Sequence, residues 1–325
     1  MKILFIHHKA HDCHKLFANT ITSDWVDIGR KNREIFFNSM KYIILNKDKK
    51  KYDILFLEGV PAVPYALAMK LRNPKAKIIV LSAGDIFYLM PNLNPLLYLF
   101  VRLTLRYVDG IITISHLNLE LLRKYYKGPA EIVFSPPIHP NFKINCDVKS
   151  NKILFIGINK PMKGFHQLID AVESLNDSGH RFELYLIGRC GESVKKRFEW
   201  LHVEGWVPDF NKYLKMCSMY VHPAFFESIG VVIFEAMSAG IIPIITENMG
   251  LAYEFRKYKL DFLILKDNKP ENIARKILEI YEKPLWWKKR MSKKVKKIAR
   301  YYTKEVQLKN FKNAFRKLAN INGVY

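Results

Sequence analysis

Short runs that are apolar throughout recur along this chain, each followed by a segment with helical spacing. A half-exposed strand alternates apolar and polar residues, whereas a wholly apolar run is buried on both faces. Repeated strand–helix units of this kind require a parallel sheet covered by helices on both sides. Strands are expected over residues 2–7, 53–57, 77–81, 110–114 and 131–134. Helices are expected over 32–45, 64–71 and 117–125, and from Pro95, with Asn94 preceding Pro95 and Ser115 as caps. The pattern stops at Ser135-Pro136-Pro137-Ile138-His139-Pro140, where three prolines forbid regular structure. After the polar residues 147–151 it restarts. Strands are expected over 152–156, 182–187, 202–204, 219–221, 241–245 and 262–265, and helices over 164–176, 192–200, 211–217, about 229–240 and 270–282. The fold class is therefore α/β: two Rossmann-like domains, 1–146 and 147–302, with parallel sheets facing a central cleft, and a last helix over 303–325. Ligands of such sheets sit at the carboxyl ends of the strands.

The most informative stretch is HPAFFESIGVVIFEAMSAG, from His222 to Gly240. A short strand leads into a turn and then into a helix that is apolar nearly all round, hence buried. Ser228 is the expected N-cap, and Gly240 is placed to end the helix in the left-handed region. Glu235 stands in the middle of this apolar helix, and a buried carboxylate needs donors. Glu227 lies eight positions earlier. The helix start, with free amides and a positive dipole end, suits an anion.

Glu227 and Glu235 form E-x7-E within F-E-S-x-G-x-x-x-x-E-A-M-x-A-G. This resembles the signature of the retaining glycosyltransferases of family four, which have the GT-B fold. Gly157 and Lys163-Gly164 resemble the family's G-R-x-x-x-x-K-G element, whose lysine holds the donor diphosphate. The chain departs from it at Ile158, where the family has Arg, leaving Asn159 or Lys160 to stand in. VEGWVPDFNKY resembles the segment that holds the nucleotide base, which implies backbone contacts from Val207 and side-chain contacts from Asp209 or Lys212. Gly250 and Glu254 match the family's Gly-then-Glu segment after the central helix.

The resemblance implies transfer of a hexose from a UDP-, GDP- or ADP-sugar to an acceptor hydroxyl with retention, and no cofactor or metal. Lys163 and the amides of Ser228, Ile229 and Gly230 would stabilise the leaving diphosphate, Glu227 would hold the donor sugar, and Glu235 the ribose diol. The first domain would bind the acceptor, a glycan, lipid-linked glycan or small molecule. There the family's His-Gly-x-Asp reads Ser82-Ala83-Gly84-Asp85, keeping Asp85 as a catalytic candidate. The glycine-rich loop after strand one is replaced by a histidine-rich segment. His7, His8, His11, Asp12 and His14 offer an acceptor-side base, or metal ligands. The terminal helix is expected to cross back to the first domain.

Net charge is +23, which points to anionic partners. Fourteen of the basic residues lie from Lys283 onward, beside Trp286 and Trp287, against the single acid Glu305. Cationic residues with tryptophans suit an anionic membrane surface. Nucleic acid is the less favoured partner, because no base-reading motif accompanies the charge. Four scattered cysteines indicate a reducing compartment, and no apolar run is long enough to span a bilayer. The location expected is cytoplasmic, with peripheral attachment at the inner face of the membrane as its extension. A GT-B epimerase and a non-catalytic basic nucleic-acid-binding relative are the alternatives.

Overall fold

The computed structural model describes residues 1–8, 10–21, 23–29, 34, 37, 38, 41, 51–71, 73–195 and 198–320. The expected helix over 32–45 falls largely outside these residues. Two compact units form: Met1–Pro136 with Lys304–Tyr325, and Pro137–Thr303.

The first unit holds six parallel strands: β1 (Ile3–His7), β2 (Ser23–Asp27), β3 (Ile54–Glu58), β4 (Lys77–Ser82), β5 (Gly110–Thr113) and β6 (Ala130–Ile132). Their order is β2-β1-β3-β4-β5-β6. The apolar runs lie at its centre, with Phe5, Phe56, Ile79 and Ile111 fully buried. Strand β2 was not anticipated: SDWVD, at the edge of the sheet, has three polar residues in five and lacks the apolar run that marks the others. No helix was expected directly after the first strand, yet residues 12–19 form the helix Asp12–Asn19, which buries His14, Phe17 and Ala18. The helix Lys304–Ala319 belongs to this unit. Its Phe311 stacks on Phe17 at 4.5 Å, and Phe315 meets Phe56 edge-on at 5.5 Å.

The second unit repeats the architecture with β7 (Lys152–Ile156), β8 (Glu183–Ile187), β9 (Leu201–Gly205), β10 (Met219–His222), β11 (Ile242–Thr246) and β12 (Ile264–Leu265), in the order β12-β11-β10-β7-β8-β9, all parallel. The helix expected over 192–200 is absent among the described residues. A 3-10 turn, Arg189–Ser193, occupies that connection, and Gly191 packs against Val203, which a longer side chain would meet at 2.2 Å. The division between units falls at Pro136, ten residues before the expected 146/147. Residues 138–147 are hydrogen-bonded to the second unit: Cys146 donates to the Ala239 carbonyl at 2.9 Å, and Asp147 to that of Lys215 at 2.9 Å.

In both sheets the chain builds from its first strand to one edge, β1 to β2 and β7 through β8 to β9, and then resumes on the other side of that first strand. The order reverses between β1 and β3 in the first unit and between β7 and β10 in the second. Loops leaving such neighbours diverge to opposite faces and leave a crevice at the carboxyl ends of the strands.

Candidate active site

In the second unit that crevice brings together residues far apart in sequence. The loop after β7 carries Lys163 on a 3-10 turn, Pro161–Lys163, which passes through Gly164 into the helix Phe165–Asp177. Gly164 has φ 75°, and a Cβ there would lie 1.9 Å from the carbonyl oxygen of Pro223 in the loop after β10. Only glycine allows this approach. Phe225 completes the junction by donating to the Met162 carbonyl at 2.9 Å.

The junction sets Lys163 Nζ 2.5 Å from Glu227 Oε2, with side chains only 14 and 16% exposed. Burial pushes the Glu227 carboxyl up, but Lys163, His222 and the Ile229 amide outweigh it and hold the group below the usual carboxylate range. His222 Nε2 lies 3.7 Å from the same carboxylate oxygen. The Tyr220 hydroxyl donates its single proton to the Ile156 carbonyl at 3.1 Å, so its 3.1 Å contact with His222 Nδ1 is one in which the imidazole donates. Burial lowers the His222 pKa to about 4, which leaves a neutral ring with Nε2 unprotonated, buried and without a hydrogen-bond partner among the described residues. One lysine, one carboxylate and one neutral imidazole thus share a buried corner.

Glu227 is fixed through its backbone as well. It forms an isolated bridge with Met249, donating to the Asn248 carbonyl at 3.2 Å and accepting from Gly250 at 2.8 Å. Gly250 therefore secures the loop. The central helix, Val231–Ser238, starts two residues later than expected, and its N-cap is Gly230 rather than Ser228. Gly230 has φ 74°, and its Cβ would lie 2.8 Å from Ile233 Cδ1, so backbone geometry replaces the side-chain cap. Ser228 is buried instead, and the Ile229 amide serves Glu227. The helix ends as expected at Gly240, φ 87°. Gly240 donates to Met237 at 2.9 Å and Ile241 to Ala236 at 3.2 Å, the paired bonds of a Schellman motif.

Glu235 is buried in that helix and finds donors in its own chain. The amides of Ile138 and His139 reach Oε1 at 3.0 and 2.9 Å, and Asn141 donates to Ser238 Oγ at 2.7 Å. Burial raises the Glu235 pKa, and the two amides oppose this. Oε2 makes no hydrogen bond among the described residues. The segment after Pro137, which the sequence showed only as a break in the pattern, is therefore a strap laid on the central helix.

The other candidates lie further out. The Gly157 carbonyl accepts from Cys190 at 3.2 Å, and a Cβ on Gly188 would come within 2.4 Å of it. Ile158, Asn159 and Lys160 are exposed. Val207, Asp209 and Lys212 follow the edge strand β9, separated from β7 by β8. Asp209 accepts from the Asn211 amide at 2.9 Å, and Lys212 Nζ lies 4.5 Å from the centre of the Tyr213 ring.

The first unit has a cavity of about 330 Å³ at its own reversal point. His8, His11 and His14 reach it after β1, Glu58 from the end of β3, and Ser82 and Asp85 after β4. Glu58 was missed in the sequence, although it ends the otherwise apolar run ILFLE at the carboxyl end of its strand. Its Oε1 accepts from the His11 amide at 3.2 Å and lies 2.5 Å from His14 Nδ1. Burial disfavours the His14 imidazolium, but hydrogen bonds with Cys13 and Glu58 win and raise its pKa to about 9. Glu58 Oε2, Ser82 Oγ and His8 Nδ1 are buried and unpartnered among the described residues. No three His, Cys, Asp or Glu side chains converge as metal ligands among the described residues.

Residues 140–302 match the sequence model of the glycosyl transferases group 1. The chain belongs to that family. The matched span includes Lys163, Glu227 and Glu235, whereas the cavity of the first unit lies outside it. No curated protein matches this glycosyltransferase. Its fold is that of solved GT-B glycosyltransferases. Sucrose-phosphate synthase from Thermosynechococcus elongatus aligns with a TM-score of 0.74 at 14% identity, covering 99% of this chain and 100% of that one. HepE from Anabaena, solved with UDP, gives 0.73 at 14% with the same coverage. A UDP-forming α,α-trehalose-phosphate synthase from Burkholderia xenovorans gives 0.71 at 10%, covering 98% and 100%.

Proposed function

We propose that this glycosyltransferase moves a hexose from a nucleotide-diphosphate sugar to an acceptor hydroxyl with retention at the anomeric carbon. The observation that carries the reading is the Lys163–Glu227 pair at the reversal point of the second sheet, beside the start of the central helix. With the donor bound, Lys163 turns from Glu227 to the diphosphate, where charge grows as the bond from the anomeric carbon to the phosphate oxygen breaks. The carboxylate of Glu227 takes the sugar hydroxyls, and Glu235 Oε2 takes the ribose diol. Val207, Asp209 and Lys212 frame the base, and Asn159 or Lys160 stands in at the diphosphate for the arginine that Ile158 replaces. The acceptor oxygen bonds to the anomeric carbon on the face the diphosphate leaves, and its proton passes to the departing phosphate oxygen. The unpartnered Glu58, Ser82 and His8 atoms, with Asp85, would hold the acceptor's hydroxyl groups. No cofactor is required by this chemistry.

Similar structures were solved with UDP and with UDP-glucose, which favours a uridine donor as the first to test. The cationic face of the helix Leu285–Ala299, with Trp286, Lys289, Arg290, Lys293 and Lys297 exposed, supports attachment to an anionic membrane surface at its cytoplasmic side and a glycan or lipid-linked acceptor. Thermal unfolding with UDP-, GDP- and ADP-sugars tests the donor. A ligand at a hundred times its Kd adds about 2.7 kcal/mol. Stabilisation by one nucleotide family, lost in Lys163→Ala, is expected. If no nucleotide sugar raises Tm, the reading fails.

A further inference from the structure

The helix Pro95–Thr104 packs only one of its sides on the first unit. Val101 and Thr104 are buried, and Leu97 and Tyr98 lie against the core. Leu96, Leu99, Phe100 and Leu103 remain 82, 54, 48 and 42% exposed. Their spacing, i, i+3, i+4 and i+7, puts them in one stripe. Tyr107, just beyond the helix, is exposed as well. A surface helix of a globular protein carries polar residues in that stripe, and this one carries apolar ones. A contiguous apolar patch of this kind marks an interaction surface.

The charges around the stripe select its occupant. No Asp or Glu lies between Asp85 and Asp109, while Arg102 and Arg106 are exposed beside the leucines. Leucines and a phenylalanine edged by guanidinium groups match the boundary between phosphate headgroups and acyl chains. At ten residues the helix is about 15 Å long, so it lies in the interface plane and does not span it. Among the described residues no helix is long and apolar enough to cross a membrane.

We propose that this stripe docks the first unit on an anionic bilayer, with Leu96, Leu99, Phe100 and Leu103 sunk at the headgroup boundary and Arg102 and Arg106 on lipid phosphates. It is a second contact, separate in sequence and composition from the lysine-rich helix. It also adjoins the cavity. Tyr125 lies 6.3 Å from both Phe87 and Tyr98, so the short helix Ile86–Leu89 stands beside the docking helix, and Ile86 and Leu89 line the cavity wall. On the acceptor reading given above, an acceptor with a hydroxylated head and a lipid tail could reach the cavity from the docked face. The docking itself does not depend on that reading.

The experiment is flotation of the full chain with vesicles of neutral phosphatidylcholine, with and without phosphatidylglycerol, at low and high salt. The variants are Leu96→Ser/Leu99→Ser/Phe100→Ser and, separately, Lys289→Ser/Arg290→Ser/Lys293→Ser. All these side chains are exposed, so both variants should keep the wild-type circular dichroism and Tm. The leucine–phenylalanine variant is expected to lose at least about tenfold in vesicle partition, including the part that survives high salt, because apolar insertion is not screened. The charge variant should lose only the salt-sensitive part. Wild-type binding by the first variant, or no flotation of the wild type on anionic vesicles at low salt, overturns the proposal. So does a wild-type dimer that the first variant turns into a monomer, which would assign the stripe to a second copy of the chain. The nucleotide-induced Tm shift, read on the same samples without lipid, reports on the donor site independently.

Discussion

Replacing Lys163 with methionine keeps the stem of the side chain and removes its charge, leaving the Glu227 carboxylate buried against the neutral His222 ring. Removing one partner of a buried ion pair costs about 3–5 kcal/mol. With each side chain roughly one-seventh exposed, the lower end applies, about 3 kcal/mol or on the order of 150-fold in the unfolding equilibrium. Urea unfolding followed by tryptophan fluorescence reads this mainly in the second unit, which holds Trp200, Trp206, Trp286 and Trp287 of the chain's five tryptophans. The sign with pH follows from the direction of the Glu227 shift. In the wild type its folded pKa is depressed, so its contribution is present above the unfolded value and lost as pH falls through the folded one. In Lys163→Met the unpaired buried carboxylate has a raised folded pKa, so the penalty is complete above that raised value, shrinks as pH falls through it and is gone by about pH 4.5, the unfolded value. Lys163→Met/Glu227→Gln, with no buried charge left, should recover most of the stability and none of the transferase activity. A penalty under about 0.5 kcal/mol at pH 7, or a double variant no more stable than the single one, would refute the claim that this pair holds a buried charge.

Gly164→Ala should cost about 3 kcal/mol or more in urea unfolding, since its Cβ meets the Pro223 carbonyl at 1.9 Å in a left-handed backbone; a near-neutral result would sink the close-approach argument. Glu235→Ala should weaken UDP titrated by calorimetry about tenfold or more, and wild-type affinity would remove the ribose role from Glu235. His14, whose folded pKa is raised to about 9, contributes stability that is complete below about pH 6.5 and is lost as pH rises through 9. Glu58→Gln should flatten that part of the stability–pH curve, and an unchanged alkaline slope would show that the His14–Glu58 pair is not its source.

Much of the donor side was readable in one dimension because its constraints are local. An apolar run such as ILFLE or KIIVLS is a buried strand whatever surrounds it. Gly240 ends a helix through bonds within six residues, and a carboxylate inside VVIFEAM needs donors wherever they come from. Which donors it has was a tertiary matter. The Ile138 and His139 amides stand some 97 positions from Glu235, and nothing in a proline run says that it will strap a helix. Ser228 read as a cap because its side chain could serve, yet the cap is Gly230, left-handed at φ 74°, where a Cβ would meet Ile233 and Met249. The cavity of the first unit was the least legible feature. His14 and Glu58 are 44 residues apart, and only the parallel pairing of β1 with β3, with the order reversing between them, puts both at one crevice. Sequence determined most of the strands and helices, though not β2, the helix Asp12–Asn19 or the turn Arg189–Ser193, and which charges must be compensated, because burial and backbone propensity act within a few residues. Strand order decided which of those charges meet, because a parallel sheet joins neighbours in space that its crossovers keep far apart along the chain.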